Sequence, residues 1–270
     1  MNTLQLKLNL DNNVWAMSPP DFLSFKQKVE GIKQDLSTYT VTGQQDDCDN
    51  CIDDNGNCII NINGEFVRGT GLPAVVCDMI GIVDLDNLDA QLIQIRDNPG
   101  ICNKLFLNIT SPGGTTHTHA TALLIRQIAQ QIDVIGYVGS MACSAGYLLA
   151  SQCSELYVSE TAWIGFVGTI FTRADITQAN NIAGVNYTFI TSSPKKLYLN
   201  PNVTATKEEL EWIESAVIYS YEMFVDDVLT NRNIAEQYLD SSIFIGEQGV
   251  NLNFADGIVN NFNDLIKNHQ

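Results

Sequence analysis

Two glycine- and serine-containing turns hold most of the chemistry that the sequence can offer. The first is Ser111-Pro112-Gly113-Gly114, which directly follows the apolar run Lys104–Ile109 and directly precedes a helical pattern. Paired glycines at a strand-to-helix turn leave backbone N–H groups uncovered, able to stabilise an oxyanion or to hold an anion at the helix start. A plain tight turn also uses glycines in this way. The second is Gly139-Ser140-Met141-Ala142-Cys143-Ser144-Ala145-Gly146-Tyr147, which follows the apolar run Val134–Val138 and opens an apolar helix. A serine there sets its hydroxyl beside free N–H groups, a good place for a nucleophile. The same position suits an ordinary helix N-cap.

A serine nucleophile needs a base, and the inventory is short. The three histidines are His117, His119 and His269. His269 lies next to the C-terminus, and His117 and His119 fall in the first turn of the helix after the glycines, where a solvent-facing role is expected. An H-x-H pair with no third ligand is weak evidence for a metal. A lysine base remains, and serine–lysine pairs are a known variant of the serine triad. Lys196 is the strongest candidate, in the segment Ile190-Thr-Ser-Ser-Pro-Lys-Lys-Leu-Tyr-Leu-Asn-Pro201 after the apolar stretch 186–190 (NYTFI), which reads as a strand. A solvated surface loop is the bland reading of the same segment. The third cluster, Cys48-x2-Cys51-x6-Cys58, sits in an acidic loop and lacks the fourth ligand and second C-x-x-C that zinc would want, so no metal is expected.

These residues are carried by a chain of 270 residues with 14 Lys+Arg against 31 Asp+Glu, a net charge of −17. Such a field repels nucleic acid and anionic membranes, and neither is expected as a partner. The first fifteen residues lack a basic, then apolar, export pattern, and no run approaches the ~18 apolar residues of a membrane span. The expectation is a cytoplasmic protein. The odd number of cysteines, 7, with Cys77, Cys102, Cys143 and Cys153 in apolar surroundings, fits reduced thiols.

The elements that must position the two turns follow from periodicity. Residues 20–36 place apolar side chains at helical spacing, 40–57 read as an acidic surface loop, and 58–67 read as a strand or hairpin. Helices are predicted over 84–97, 116–132, from 144 to 151, and over 206–231, the last begun by Thr204 or Thr206. Strands are predicted at 104–109, 134–138 and 156–158. Short alternation of strand and helix predicts an α/β fold with parallel crossovers.

Together these pieces resemble the signal peptide peptidase A family of serine peptidases, particularly its phage-head branch of prohead or capsid-maturation proteases. The resemblance runs from about residue 58 to 262. It rests on the SPGG turn at 111–114, on MACSAGYLLAS at 141–151, on TAWIGFVGTI at 161–170 and on ITSSPKKLYLNP at 190–201. Downstream, MFVDDVLTNR and FADGIV match the family's later helix and the close of its domain. Phe166 stands where a small polar residue is usual. The resemblance implies a ClpP/crotonase-type fold, with repeated ββα units and a mostly parallel sheet flanked by helices. The chain is expected to divide into an N-terminal helix and acidic loop (1–57), for oligomerisation or substrate gating, whose residues 40–57 have no counterpart in the family, and a peptidase domain (58–270). It implies a serine endopeptidase with no cofactor. Ser144 would be the nucleophile, Lys196 rather than Lys195 the base, and Gly113, Gly114 and Ala145 the oxyanion hole. A lysine base must lose its proton near neutral pH, against a usual value of about 10.4, and burial among apolar groups supplies that shift. Ser192, Ser193 or Tyr198 would orient it. The family also implies a homo-oligomeric ring, in which the lysine can reach a neighbour's serine, and polypeptide substrates such as scaffold and capsid tails. The competing expectations are a cytoplasmic peptidase that degrades peptides, a crotonase-like acyl-CoA enzyme, and an inactive relative that only assembles.

Overall fold

The computed structural model describes residues 52–115 and 117–270. The expected helix at 20–36 and most of the acidic loop, with Cys48 and Cys51, lie outside the described residues. Residues 52–57 fold onto the body of the protein: Ile52 bridges Cys58, and the Asn103 N–H donates to the Gly56 carbonyl at 2.8 Å.

The frame is a mostly parallel sheet. Its main path runs β1 (Cys58–Asn63), β4 (Lys104–Ser111), β5 (Asp133–Cys143), β6 (Glu155–Val158) and β9 (Gly257–Ile258), all parallel. The sequence explains its centre. In β4 the run Leu105-Phe106-Leu107 is fully buried, and in β5 so are Val134 and Val138, as expected for strands covered on both faces. The long strand β5 serves two partners in succession. Its first half pairs with β6, and Met141–Cys143 pairs with β7 (Trp163–Gly165), which in turn takes β8 (Ile243–Ile245) antiparallel. This second partner carries β5 well past the expected end at residue 138 and delivers its last residue to the site.

The stretch 58–67, expected as a strand or a hairpin, is two strands of different sheets. After β1, Gly64 turns the chain into β2 (Glu65–Val67), which pairs with β3 (Ile82–Asp84) in parallel across α1 (Ala74–Ile80). Two apolar runs separated by one glycine look like a hairpin, but each finds a better partner further along the chain.

Helices cover the sheet. The pair α2 (Leu85–Asp97) and α3 (His119–Ala129) buries Leu88, Leu92 and Ile95 against Ala122, Ile125 and Ile128 in one core. Then come α4 (Ala145–Ala150), buried on all sides, the short α5 (Thr177–Ile182), and the long α6 (Lys207–Asn231). Thr206 caps α6, its hydroxyl accepting from the Glu209 N–H at 3.1 Å. The chain closes with α7 (Gly246–Asn251) and α8 (Phe262–Asn268), whose Leu265 covers the far face of the sheet at Phe106 and Ile135.

The five described cysteines outside the acidic loop's masked part, Cys58, Cys77, Cys102, Cys143 and Cys153, are all buried and none is joined in a disulfide. Cys58 sits in the core on β1. Among the described residues no group of three or more His, Cys, Asp and Glu could hold an ion. Among the described residues no helix is long and apolar enough to cross a membrane.

Candidate active site

The site forms where the C-terminal ends of β4 and β5 meet the start of α4. Ser144 is the junction between β5 and α4. Its backbone has φ 53° and ψ −126°, a conformation that a residue with a side chain adopts at a cost. The strain is held from both sides. The Ser144 N–H donates to the Gly165 carbonyl on β7 at 2.9 Å, and its carbonyl accepts from the Leu148 N–H at 3.0 Å. The side chain makes no capping bond. Its Oγ is buried and has no hydrogen-bond partner among the described residues. A plain N-cap serine would spend its hydroxyl on the helix; this one is turned away from that use.

The glycine turn presses against it. A Cβ on Gly113, where φ is +108°, would lie 2.8 Å from the Ser144 Cβ and 3.1 Å from the Ala145 nitrogen. Only a glycine lets the two turns approach this closely. Gly114, at φ +155°, sits against the backbone of Phe66 on β2, where an added Cβ would meet the Phe66 oxygen at 2.2 Å. Phe66 fixes the turn on both sides: its N–H donates to the Gly113 carbonyl at 2.8 Å, and its carbonyl accepts from the Thr115 N–H at 3.0 Å. The N–H of Gly114 therefore points away from Phe66. The first N–H groups of α4, beginning with Ala145, have no intrahelical acceptor. The Gly113 N–H is already spent, donating to Ser111 Oγ at 3.1 Å.

The expected lysine, Lys196, is in a single 3-10 turn, Pro194–Leu197, and is exposed, with no ion pair among the described residues. Its neighbour Lys195 pairs with Glu208 at 3.2 Å. Among the described residues none buries Lys196, and no hydrogen bond joins it to Ser144. Residues 186–190 form no strand; they are exposed coil, with Tyr187 stacked on Phe189. The lysine segment is nonetheless anchored. The buried carboxylate of Glu209 accepts from the Leu199 N–H at 2.7 Å and from Arg173 Nε at 2.8 Å, and Arg173 also donates to the Val203 carbonyl at 2.6 Å. Burial alone would raise the Glu209 carboxyl, but these donors outweigh it and hold it below the usual range.

The histidines divide. His117 is exposed and precedes α3, its Nδ1 2.9 Å from Thr115 Oγ1. His119 is not simply solvent-facing. Its Nδ1 lies 2.5 Å from Oδ2 of Asp227 on α6, whose other oxygen accepts from Arg126 Nη2 at 2.6 Å. Asp227 was not singled out by sequence reasoning; it is one of many acidic residues on a helix, and nothing local marks it as facing inward.

A family model for peptidase family S49 matches residues 126–270, more than half of the chain. The chain belongs to peptidase family S49, and its helix-flanked, mostly parallel sheet is the ClpP-like fold of that family. Among its relatives are the capsid assembly protease C of Escherichia phage lambda, 25% identical over 210 residues (76% of this chain, 47% of the relative), and the head-tail preconnector protein of Enterobacteria phage P21, 27% identical over 210 residues (76% of this chain, 41% of the relative). The chain spans about half the length of the curated relatives it matches.

Proposed function

We propose that this chain is a serine endopeptidase in which Ser144 is the nucleophile and Lys196 the base. The observation that carries the reading is the backbone of Ser144: a strained, positive φ at a strand-to-helix turn, with a buried hydroxyl left unbonded beside a glycine turn. Strain of this kind persists where the surrounding structure enforces it, and it turns the hydroxyl away from capping.

In this reading the Ser144 Oγ attacks the peptide carbonyl carbon as its proton passes to the neutral Nζ of Lys196. The N–H groups of Gly114 and Ala145 stabilise the oxyanion, and Gly113 supplies the close approach. The C–N bond breaks, the lysine returns its proton to the leaving amine, and water then hydrolyses the acyl-enzyme by the same route. Because Lys196 is exposed while the Ser144 Oγ has no hydrogen-bond partner among the described residues, the lysine is supplied by a neighbouring copy in a ring. Exposed apolar side chains around the lysine segment, Ile190 at 97% and Ile182 at 82% among them, support such packing. The substrates are polypeptides; the lambda relative, named a capsid assembly protease, favours scaffold and capsid tails. The peptidase domain would span 58–270, with 1–57 serving assembly or gating.

The test is labelling with a fluorophosphonate, followed by peptide mapping. The expected result is one adduct, on Ser144, lost in Ser144→Ala and in Lys196→Ala but not in Lys195→Ala. Full labelling in Lys196→Ala would overturn the lysine base, and no adduct on wild type would overturn the serine reading.

A further inference from the structure

Phe66 holds the glycine turn through its backbone, and something must in turn hold Phe66. Its strand, β2, has three residues and pairs with the equally short β3. Toward the turn it makes a single bridge, Phe66 to Gly114, built from the two backbone hydrogen bonds to Gly113 and Thr115. The bridge is isolated. Where a parallel ladder would continue, at residue 68, the side chain of Arg68 takes over.

All five N–H donors of the Arg68 guanidinium are used. Nε and Nη2 donate to the His117 carbonyl at 3.2 and 3.1 Å, and Nη2 also to Thr121 Oγ1 at 3.1 Å. Nη1 donates to Asp86 at 2.7 Å and to Asp89 at 2.8 Å. One planar group thereby ties β2 to the segment leaving the glycine turn, to α3 and to the start of α2. Bonds from a charged donor are roughly twice as strong as neutral ones, so this grip is firmer than the bridge it extends. The segment from Gly113 to His117 is held at one end by Phe66 and at the other by Arg68.

The consequence falls on one peptide plane. Gly113 has φ +108° and Gly114 φ +155°. A peptide between two glycines meets little steric resistance to turning over, so hydrogen bonds must fix it. In a trans peptide the N–H lies opposite the C=O. While the Gly113 carbonyl stays on Phe66, the Gly114 N–H stays on the side away from β2. We propose that Arg68 is a positioning residue for this donor: by locking β2 to the His117 carbonyl it keeps the Gly113–Gly114 peptide from turning over and the Gly114 N–H available to the oxyanion. The proposal rests on the serine-peptidase reading of Ser144, with Gly114 as an oxyanion donor. Asp86 is half-exposed, so its ion pair with Arg68 adds little to overall stability. What Arg68 supplies is geometry.

The experiment is saturation kinetics of inactivation by a fluorophosphonate, whose phosphoryl oxygen takes the place of the oxyanion. It reads the labelled fraction, the apparent binding constant and the limiting rate. Losing an oxyanion donor outright costs about 10²–10³ in rate. Arg68→Met, which keeps the stem and removes the fork, should lower the limiting rate about tenfold or more, with the binding constant unchanged and labelling still complete. Arg68→Lys, with three donors at one point, should recover part of the rate. Arg96→Met, at the far end of α2 where Arg96 pairs with Asp97, should match wild type. A role confined to stability would lower the labelled fraction and leave the limiting rate of the folded part unchanged. That outcome, or a wild-type limiting rate in Arg68→Met, would overturn the proposal and leave the serine reading standing. If Arg68→Met yields no folded protein, Arg68→Lys decides by the same measurement: a lowered limiting rate at full labelling supports the proposal, and a wild-type rate overturns it. Failure of the probe on wild type would remove the serine reading, and this proposal with it.

Discussion

Ser144, Gly113 and Gly114 depend on one another, and the dependence can be separated by substitution. Gly114→Ala forces a methyl into the Phe66 backbone at a φ of +155°. Backbone cannot move aside as a flexible side chain can, so the expected loss is at least about 3 kcal/mol, the upper range for local strain. Thermal denaturation should show a large drop in Tm. Gly113→Ala meets the Ser144 Cβ and the Cys143 carbonyl oxygen instead. It should displace the nucleophile and abolish fluorophosphonate labelling with a smaller fall in Tm. The reverse ranking of the two melting temperatures would contradict this division. Much of this was legible in the sequence, because glycines and a serine after apolar strands mark strand-to-helix turns. The pairing of His119 with Asp227 was not legible. The two residues are 108 positions apart, and a long amphipathic helix does not announce which of its carboxylates faces inward.

Among the elements, the lysine segment and α6 act as one unit through Glu209. Its side chain is nearly fully buried and joins Leu199 and Arg173, while its backbone N–H donates to the capping Thr206 hydroxyl. Removing one partner of a buried ion pair strands the other, at a cost on the order of 3 kcal/mol. Glu209→Ala should therefore release residues 194–203, seen as faster amide hydrogen exchange there, while β4 and β5 stay protected. The same contact has a sign in pH. The folded carboxyl is held below its usual value, so its contribution is present above the unfolded value, about 4.3, and is lost as pH falls through the lower folded value. Protection factors in 194–203, corrected for the pH dependence of intrinsic exchange, should thus fall on acidification before those of the sheet core. Unchanged protection in that segment at low pH would refute the coupling. The helix itself was readable, since Thr206 and the acidic first turn mark its start. The stretch 186–190 misled because aromatic and β-branched residues suggest a strand, yet no strand among the described residues pairs with it, and such residues then serve a surface.

At the scale of the whole molecule, two forces compete in any assembly of this chain. Each copy carries −17, so like-charge repulsion opposes association. The opposing term is apolar: Ile182, Ile190, Trp212 and Tyr219 expose large side chains on and around α5, the lysine segment and α6. At about 25 cal/mol per Å² of apolar surface removed from water, several such side chains together can exceed a screened repulsion. Salt should decide between this balance and one held by ion pairs. Added salt shortens the Debye length from about 10 Å at 0.1 M to about 3 Å at 1 M, which weakens repulsion but leaves burial intact. Sedimentation across a salt series should show association strengthening, and Ile190→Asp should weaken it at every salt concentration. If the lysine is shared between copies, activity follows the same curve. Specific activity should fall on dilution, and mixing Ser144→Ala with Lys196→Ala protein should restore part of it, because some interfaces would then carry one intact Ser144 and one intact Lys196. Full activity in a dilute monomer, with no rescue on mixing, would confine catalysis to a single chain and require the lysine segment to fold back onto its own Ser144.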